Sequence, residues 1–155
     1  MDFTIERVKQ MLILLQGNRY YARLPLNGWR FCECGYKTNN MIPDKNAPEF
    51  RDFGEDERWG KKADSHAWFC RHIVVPSDWK GEVRFALRTG KEGQWDARNP
   101  QFIAYLNGVL TQGLDVNHTE LLLPELAEFD LDLYAYAGME GTLSEFNACL
   151  LYTSK

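Results

Sequence analysis

The clearest hydrophobic pattern lies in residues 102–112. Five apolar, strand-favouring residues, Phe102-Ile103-Ala104-Tyr105-Leu106, precede Asn107-Gly108, and a second short run follows from Val109 to Gln112. Asn-Gly between two such runs predicts a hairpin with a type I′ turn, which needs positive φ at both central residues. Two other stretches alternate. Val83, Phe85 and Leu87 are interleaved with Glu82, Arg84 and Arg88, and Phe129, Leu131 and Leu133 with Asp130, Asp132 and Tyr134. Each predicts a strand with one buried and one wet face, which assigns Asp130 and Asp132 to solvent. Further strands are predicted at 19–24 (closed by Pro25), 29–34, 66–75, 118–123 and 143–152.

One stretch has helical rather than strand periodicity. Ile5, Val8, Met11, Leu12 and Leu15 recur at spacings of three and four, Thr4 can cap the start, and Gly17-Asn18 can stop the helix. Ile13 and Leu14 widen the apolar face, so the helix is expected to pack on something. Residues 35–64 carry Asn39, Asn40, Pro43, Asp44, Asn46 and Pro48 and read as a long excursion. Such length without secondary structure points to a functional or partner-facing loop. Phe50, Phe53 and Trp59 are the side chains that could anchor it.

About eight or nine antiparallel strands, with no strand–helix alternation, predict a mainly β fold. The natural solution is a galactose-binding-like or jelly-roll antiparallel β-sandwich preceded by one N-terminal helix. The expected division is a helix at 1–18, a sandwich at 19–148 and a tail at 149–155. That tail resembles translated adapter sequence more than a designed domain end.

Composition narrows the function classes. The formal charge is −4, and no cluster of Lys and Arg appears, so nucleic acid is not an expected partner. No apolar run approaches the roughly 20 residues that span a bilayer, and no secretory leader pattern opens the chain. The expectation is a cytoplasmic protein with no membrane partner. Cys32-x-Cys34 has poor spacing for zinc. With Cys70 and Cys149, these residues read as free, at least half-buried thiols.

Candidate chemistry is sparse. His118 with Asp115 and Glu120, in the loop after the hairpin, is the closest approach to a metal or acid/base site. The competing reading has Asp115 and Asn117 shaping a turn. His66 and His72 share a strand face but lie about 20 Å apart, too far to hold one metal. His66 is expected to anchor the preceding loop. Trp59, Trp79 and Trp95 all fall in predicted loops, where an indole can stack on a sugar ring or face another domain. No distinctive carboxylate pair, nucleophile elbow or phosphate loop is present.

A resemblance spans residues 5–137. The series Trp59-Gly60, His66-Ala67-Trp68-Phe69, Val75-Pro76-Ser77-Asp78-Trp79-Lys80-Gly81, the hairpin, and Gln112-Gly113-Leu114-Asp115-Val116-Asn117-His118 resembles the N-terminal region of family 38 glycoside hydrolases. It is most similar to their cytosolic and bacterial α-mannosidase branch. The Trp-Phe, Val-Pro, Trp-x-Gly and Asn-Gly pattern within it recurs in other glycosidase sandwiches, β-galactosidases included, and the Gln-Gly-Leu-Asp-x-Asn-His run favours the mannosidase. The resemblance implies a helix and an accessory sandwich ahead of a retaining, zinc-dependent catalytic domain that removes terminal α-mannose. No catalytic or metal residue of that family matches a position here, so no cofactor is expected in this segment. The implied partner is the catalytic domain of the same polypeptide, which the 35–64 and 113–118 loops would face, with a homo-oligomer and carbohydrate as further partners. Trp59, Trp79, Trp95, Asp115, Asn117 and His118 are the candidate interface or sugar-contact residues. The alternative is a free-standing carbohydrate-binding module.

Overall fold

The computed structural model describes residues 3–17, 20, 22–36 and 41–153. Asn18 and Arg19, expected to stop the helix and start a strand, fall outside them, as do residues 37–40 of the long excursion and the last two of the expected tail.

Helix α1 (Phe3–Gly17) precedes ten strands: β1 (Ala22–Leu26), β2 (Arg30–Cys34), β3 (Arg51–Asp52), β4 (His66–Val74), β5 (Glu82–Arg88), β6 (Gln101–Leu106), β7 (Val109–Leu114), β8 (Glu120–Leu122), β9 (Glu128–Tyr136) and β10 (Asn147–Thr153). They form a four-stranded sheet in the order β1-β10-β5-β8 and a six-stranded sheet in the order β3-β2-β4-β9-β6-β7. Every named pair is antiparallel. The protein is a β-sandwich, as expected. Phe85, Leu87, Leu121 and Leu150 from one sheet meet Phe31, Phe69, Leu131 and Leu133 from the other in a single core. Phe69 is its hub, with ring contacts to Phe31, Phe53, Trp59 and Phe146. Each such buried ring or Leu contributes about 1.5–3 kcal/mol.

The hairpin forms where it was expected. Asn107 and Gly108 adopt φ of 49° and 81° between β6 and β7, and a bulge interrupts the pairing at Ala104/Tyr105.

Four expectations are corrected. Pro25 does not end the first strand. β1 is an edge strand, paired to β10 on one side, and an edge is where a strand tolerates the missing N–H of a proline. Residues 149–153, expected as a tail, are part of β10, which lies between β1 and β5, and Leu150 is fully buried. The large apolar side chains of α1 are not buried. Ile5, Val8, Met11, Leu12, Ile13, Leu14 and Leu15 are all more than half exposed, because both sheets fill their inner faces from each other.

The fourth correction concerns the outer face of the six-stranded sheet. Asp132 is not in solvent; it is 8% exposed. Residues 41–50 fold over this face, and Ile42, Ala47 and Phe50 pack on Trp68, Cys70, Tyr105 and Tyr134 in a second small core. Arg30 fastens the cover by donating to the carbonyls of Lys45 and Phe50 and to the Asp52 carboxylate. Phe50, Phe53 and Trp59 all anchor the excursion, as the sequence suggested.

Candidate functional site: an aromatic cavity on the outer face

Successive outward-facing residues of β4, β9 and β6 stand in rows. Cys70, Asp132 and Tyr105 form one row, Trp68, Tyr134 and Ile103 the next, and His66, Tyr136 and Gln101 the last. The 41–50 cover lies on the first two rows. Beyond it, the last row opens into a cavity of about 860 Å³ lined by Tyr36, Asp64, His66, Gln101, Phe102, Ile103, Gly113, Leu114, Asp115, Tyr134, Tyr136 and Met139. That volume falls in the range of small-molecule sites, about 300–1,000 Å³.

The His66 ring is the centre of the wall. It stacks on Tyr136 at 4.7 Å and on Tyr134 at 5.7 Å, and the edge of Tyr36 meets it at 5.9 Å. Its Nδ1 lies 2.7 Å from the Tyr134 hydroxyl and its Nε2 lies 3.5 Å from Asp64 Oδ1. With a proton on Nε2, both contacts are satisfied: Nδ1 accepts from the tyrosine, and Nε2–H faces the carboxylate. Asp64 itself sits at a φ of 55°, held there by its N–H donating to the Gly138 carbonyl. Asp tolerates this left-handed geometry better than most residues. Burial, then the Asp64 charge and hydrogen bond, hold the Tyr136 hydroxyl above its ordinary pKa. Tyr136 is therefore a neutral hydroxyl at physiological pH.

On the other wall, Asp115 closes the turn after β7. Its Oδ1 accepts from the Asn117 and His118 backbone N–H groups at 2.8 and 2.7 Å, and the His118 ring lies 3.0 Å away. Partial burial opposes ionisation, but these donors win and leave the carboxyl below its ordinary pKa. This is an Asx-type turn, the structural alternative read from the sequence. No group of three or more His, Cys, Asp or Glu among the described residues could hold a metal ion.

The other sequence candidates scatter. Trp59 is 4% exposed in the main core, where its indole N–H has no acceptor among the described residues. Trp79 is half-buried, stacks on Tyr152 at 5.1 Å, and lines a second cavity of about 740 Å³ at the far end of β4. Trp95 is fully exposed and lines neither cavity. Asn117 and His118 are exposed and serve the turn; of the six candidates only Asp115 lines the aromatic cavity. His66 anchors loop residue Asp64, as expected, and is also central to the cavity. His72, at the exposed end of the strand, pairs with Asp130 and Glu128. The signal for the missed tyrosines was Tyr134-x-Tyr136, two aromatics on one strand face.

The cysteines are free, with Cys70 and Cys149 buried and Cys32 and Cys34 half-buried on the same outer face. Burial, with the Cys32 sulfur beside it, pushes the Cys34 thiol up to about 11, so it is not a ready nucleophile. No described helix is long and apolar enough to cross a membrane.

No family model matches the sequence, and no curated protein matches it. Solved structures do match the fold. A Faecalibacterium prausnitzii β-glucuronidase superposes with a TM-score of 0.59 at 13% identity over 87% of this chain and 32% of its own. For Bacteroides uniformis β-glucuronidase 2 the values are 0.53, 13%, 84% and 18%. A provisionally named β-galactosidase of Bacteroides fragilis gives 0.54, 14%, 84% and 23%. At such identities the likeness is one of fold. The chain spans a third or less of the length of each of these proteins.

Proposed function

We propose that this chain is a non-catalytic accessory sandwich of a glycoside hydrolase. The observation that carries the reading is the extent of the fold match. More than four-fifths of the chain superposes on a minor part of each of three proteins named as glycosidases. The site chemistry supports it. Of the two carboxylates lining the cavity, Asp115 is held ionised by its turn and is a poor general acid, which in glycoside hydrolysis needs a raised pKa.

The finer reading, an α-mannosidase acting on terminal α-mannosides, rests on the motif resemblance, Gln112 to His118 above all. The zinc of that family would lie in its catalytic domain, and no step is assigned to it here. In this reading the exposed apolar residues of α1 pack against the remainder of the enzyme or a second copy, because contiguous apolar surface of this kind marks interaction sites.

The experiment is to read the source DNA beyond codon 155 and assay the full product. An open frame continuing into a glycoside hydrolase catalytic domain is expected, with activity on p-nitrophenyl α-mannoside. A frame that stops, or that continues into an unrelated domain, overturns the accessory reading. A glycosidase inactive on the mannoside overturns only the finer one.

A further inference from the structure

We infer that the outer-face cavity beside His66 is a binding site for a neutral pyranose. The ligand class rests on the glycosidase reading, whereas the cavity geometry stands without it.

Three features select the ligand. The first is shape. Tyr134, His66 and Tyr136 stack in a tier, and Tyr36 and Met139, about three-quarters exposed, stand at the rim. Aromatic faces with polar tips suit a ring that is apolar on its C–H face and polar at its edge. The second is polarity. Gln101, the Tyr136 hydroxyl and the carboxylates of Asp64 and Asp115 offer mostly acceptors, which hydroxyl donors can satisfy.

The third is charge. No Lys or Arg is among the described lining residues, so a uronic acid would bring a third carboxylate to a site with no counter-charge. A cation is less well served than a hydroxyl, because part of each carboxylate's acceptor capacity is already taken and a hydroxyl donor needs only one of the lone pairs that remain. Asp115 Oδ1 accepts from two backbone N–H groups and lies against the His118 ring, while Asp64 faces His66. A neutral, hydroxyl-rich ring fits what is left.

Gly113 provides the test. It sits opposite Ile103 on β7, its φ is not in the left-handed region, and an added Cβ would meet only the Phe102 carbonyl oxygen at 3.8 Å. Gly113→Val should therefore fold, since Val suits a strand, and it places two methyl groups in the cavity.

The experiment is an amide NMR titration of the whole chain with methyl α-mannoside, methyl β-galactoside and methyl β-glucuronide at millimolar concentrations. At least one neutral glycoside should give saturable shifts at Asp64, Ile103, Gly113 and Tyr136, with the glucuronide about tenfold weaker or more. Gly113→Val should abolish those shifts with the spectrum still dispersed. Tyr136→Ala should weaken binding about tenfold, and Trp95→Ala should leave it unchanged. The proposal is overturned by no saturable shift, by glucuronide binding as tightly as the neutral sugars, by shifts centred on Trp79 or Trp95, or by a Gly113→Val protein that binds normally. A silent cavity in a chain whose gene runs on into a glycosidase sinks the sugar site and leaves the accessory reading standing. A binding cavity with no catalytic domain downstream does the reverse.

Discussion

On the inner face of the six-stranded sheet, Phe31, Phe69, Leu133 and Ala104 form one row across four strands, none more than 2% exposed. One residue further along the same strands, on the outer face, the row is Cys32, Trp68, Tyr134 and Ile103, buried or half-buried. The inner row is sealed by a second sheet, whose own alternation announces it. The outer row is sealed by residues 41–50, an irregular segment with no period. The two faces come close to each other in burial yet differ in what buries them. The inner face is one cooperative core, and the outer face is a covered patch beside an open cavity.

The largest effects should separate the two covers. Phe69→Ala empties the hub of the main core and should cost about 3–5 kcal/mol in urea unfolding. Phe50→Ala removes the main ring that the cover places on Trp68 and Tyr134. It should cost less in global stability, while amide exchange and proteolysis rise selectively in residues 41–50. Equal costs with no local opening would mean that the outer face belongs to the same cooperative unit.

A middle-sized effect is expected at Asn107, which joins the hairpin to β9. Its backbone N–H donates to the Asp130 carbonyl and its Oδ1 accepts from the Asp130 N–H, both at 2.9 Å, while it holds a φ of 49°. Asn107→Ala loses the side-chain acceptor and keeps the unfavourable backbone angle, for about 1–2 kcal/mol. A loss near zero would show that Gly108 alone sets the turn.

This contrast also separates what the sequence could disclose from what it could not. Inner-face positions such as Phe85, Phe129 and Leu133 were legible because burial by a sheet enforces a period of two. The hairpin and the Asp115 turn were legible because both depend on short-range backbone chemistry. Asp132 was not, since nothing in its neighbours reveals a cover that arrives from some ninety positions earlier in the chain. The His66–Tyr134 pair, 68 residues apart, depends on the β4–β9 register, which alternation leaves open. Trp59 and Trp95 show the same limit. Both sit in turn-rich sequence, and only tertiary packing makes one a core residue and the other a solvated ring.

The smallest effects sharpen the comparison most, because they come from two carboxylates on one strand face, two residues apart. Asp130 lies at the margin of the cover, 2.9 Å from the His72 ring and 3.0 Å from Lys45 Nζ, and these partners hold its carboxyl below the ordinary value. Asp132 lies under the cover. Burial raises its carboxyl, with the Cys70 thiol and the Lys45 charge only partly offsetting that and Asp130 adding to it. Linkage then gives the two residues opposite signs. The Asp130 contribution is present above the unfolded value, near 4, and is lost as pH falls through the lower folded value. The Asp132 contribution is complete below the unfolded value and is lost as pH rises through the raised one, so at pH 7 its charge is held at a cost. Asp130→Asn should therefore lower stability at pH 7, by about 1 kcal/mol or less for so exposed a pair, and matter little in acid. Asp132→Asn should leave stability equal or higher at pH 7, with the gain fading as pH falls through the raised native value and gone below about 4, where both states are protonated. Melting curves of both variants across pH 3–8 are the measurement. If both lose stability at pH 7, Lys45 compensates the buried charge fully, and the cover is an electrostatic clamp rather than an apolar lid.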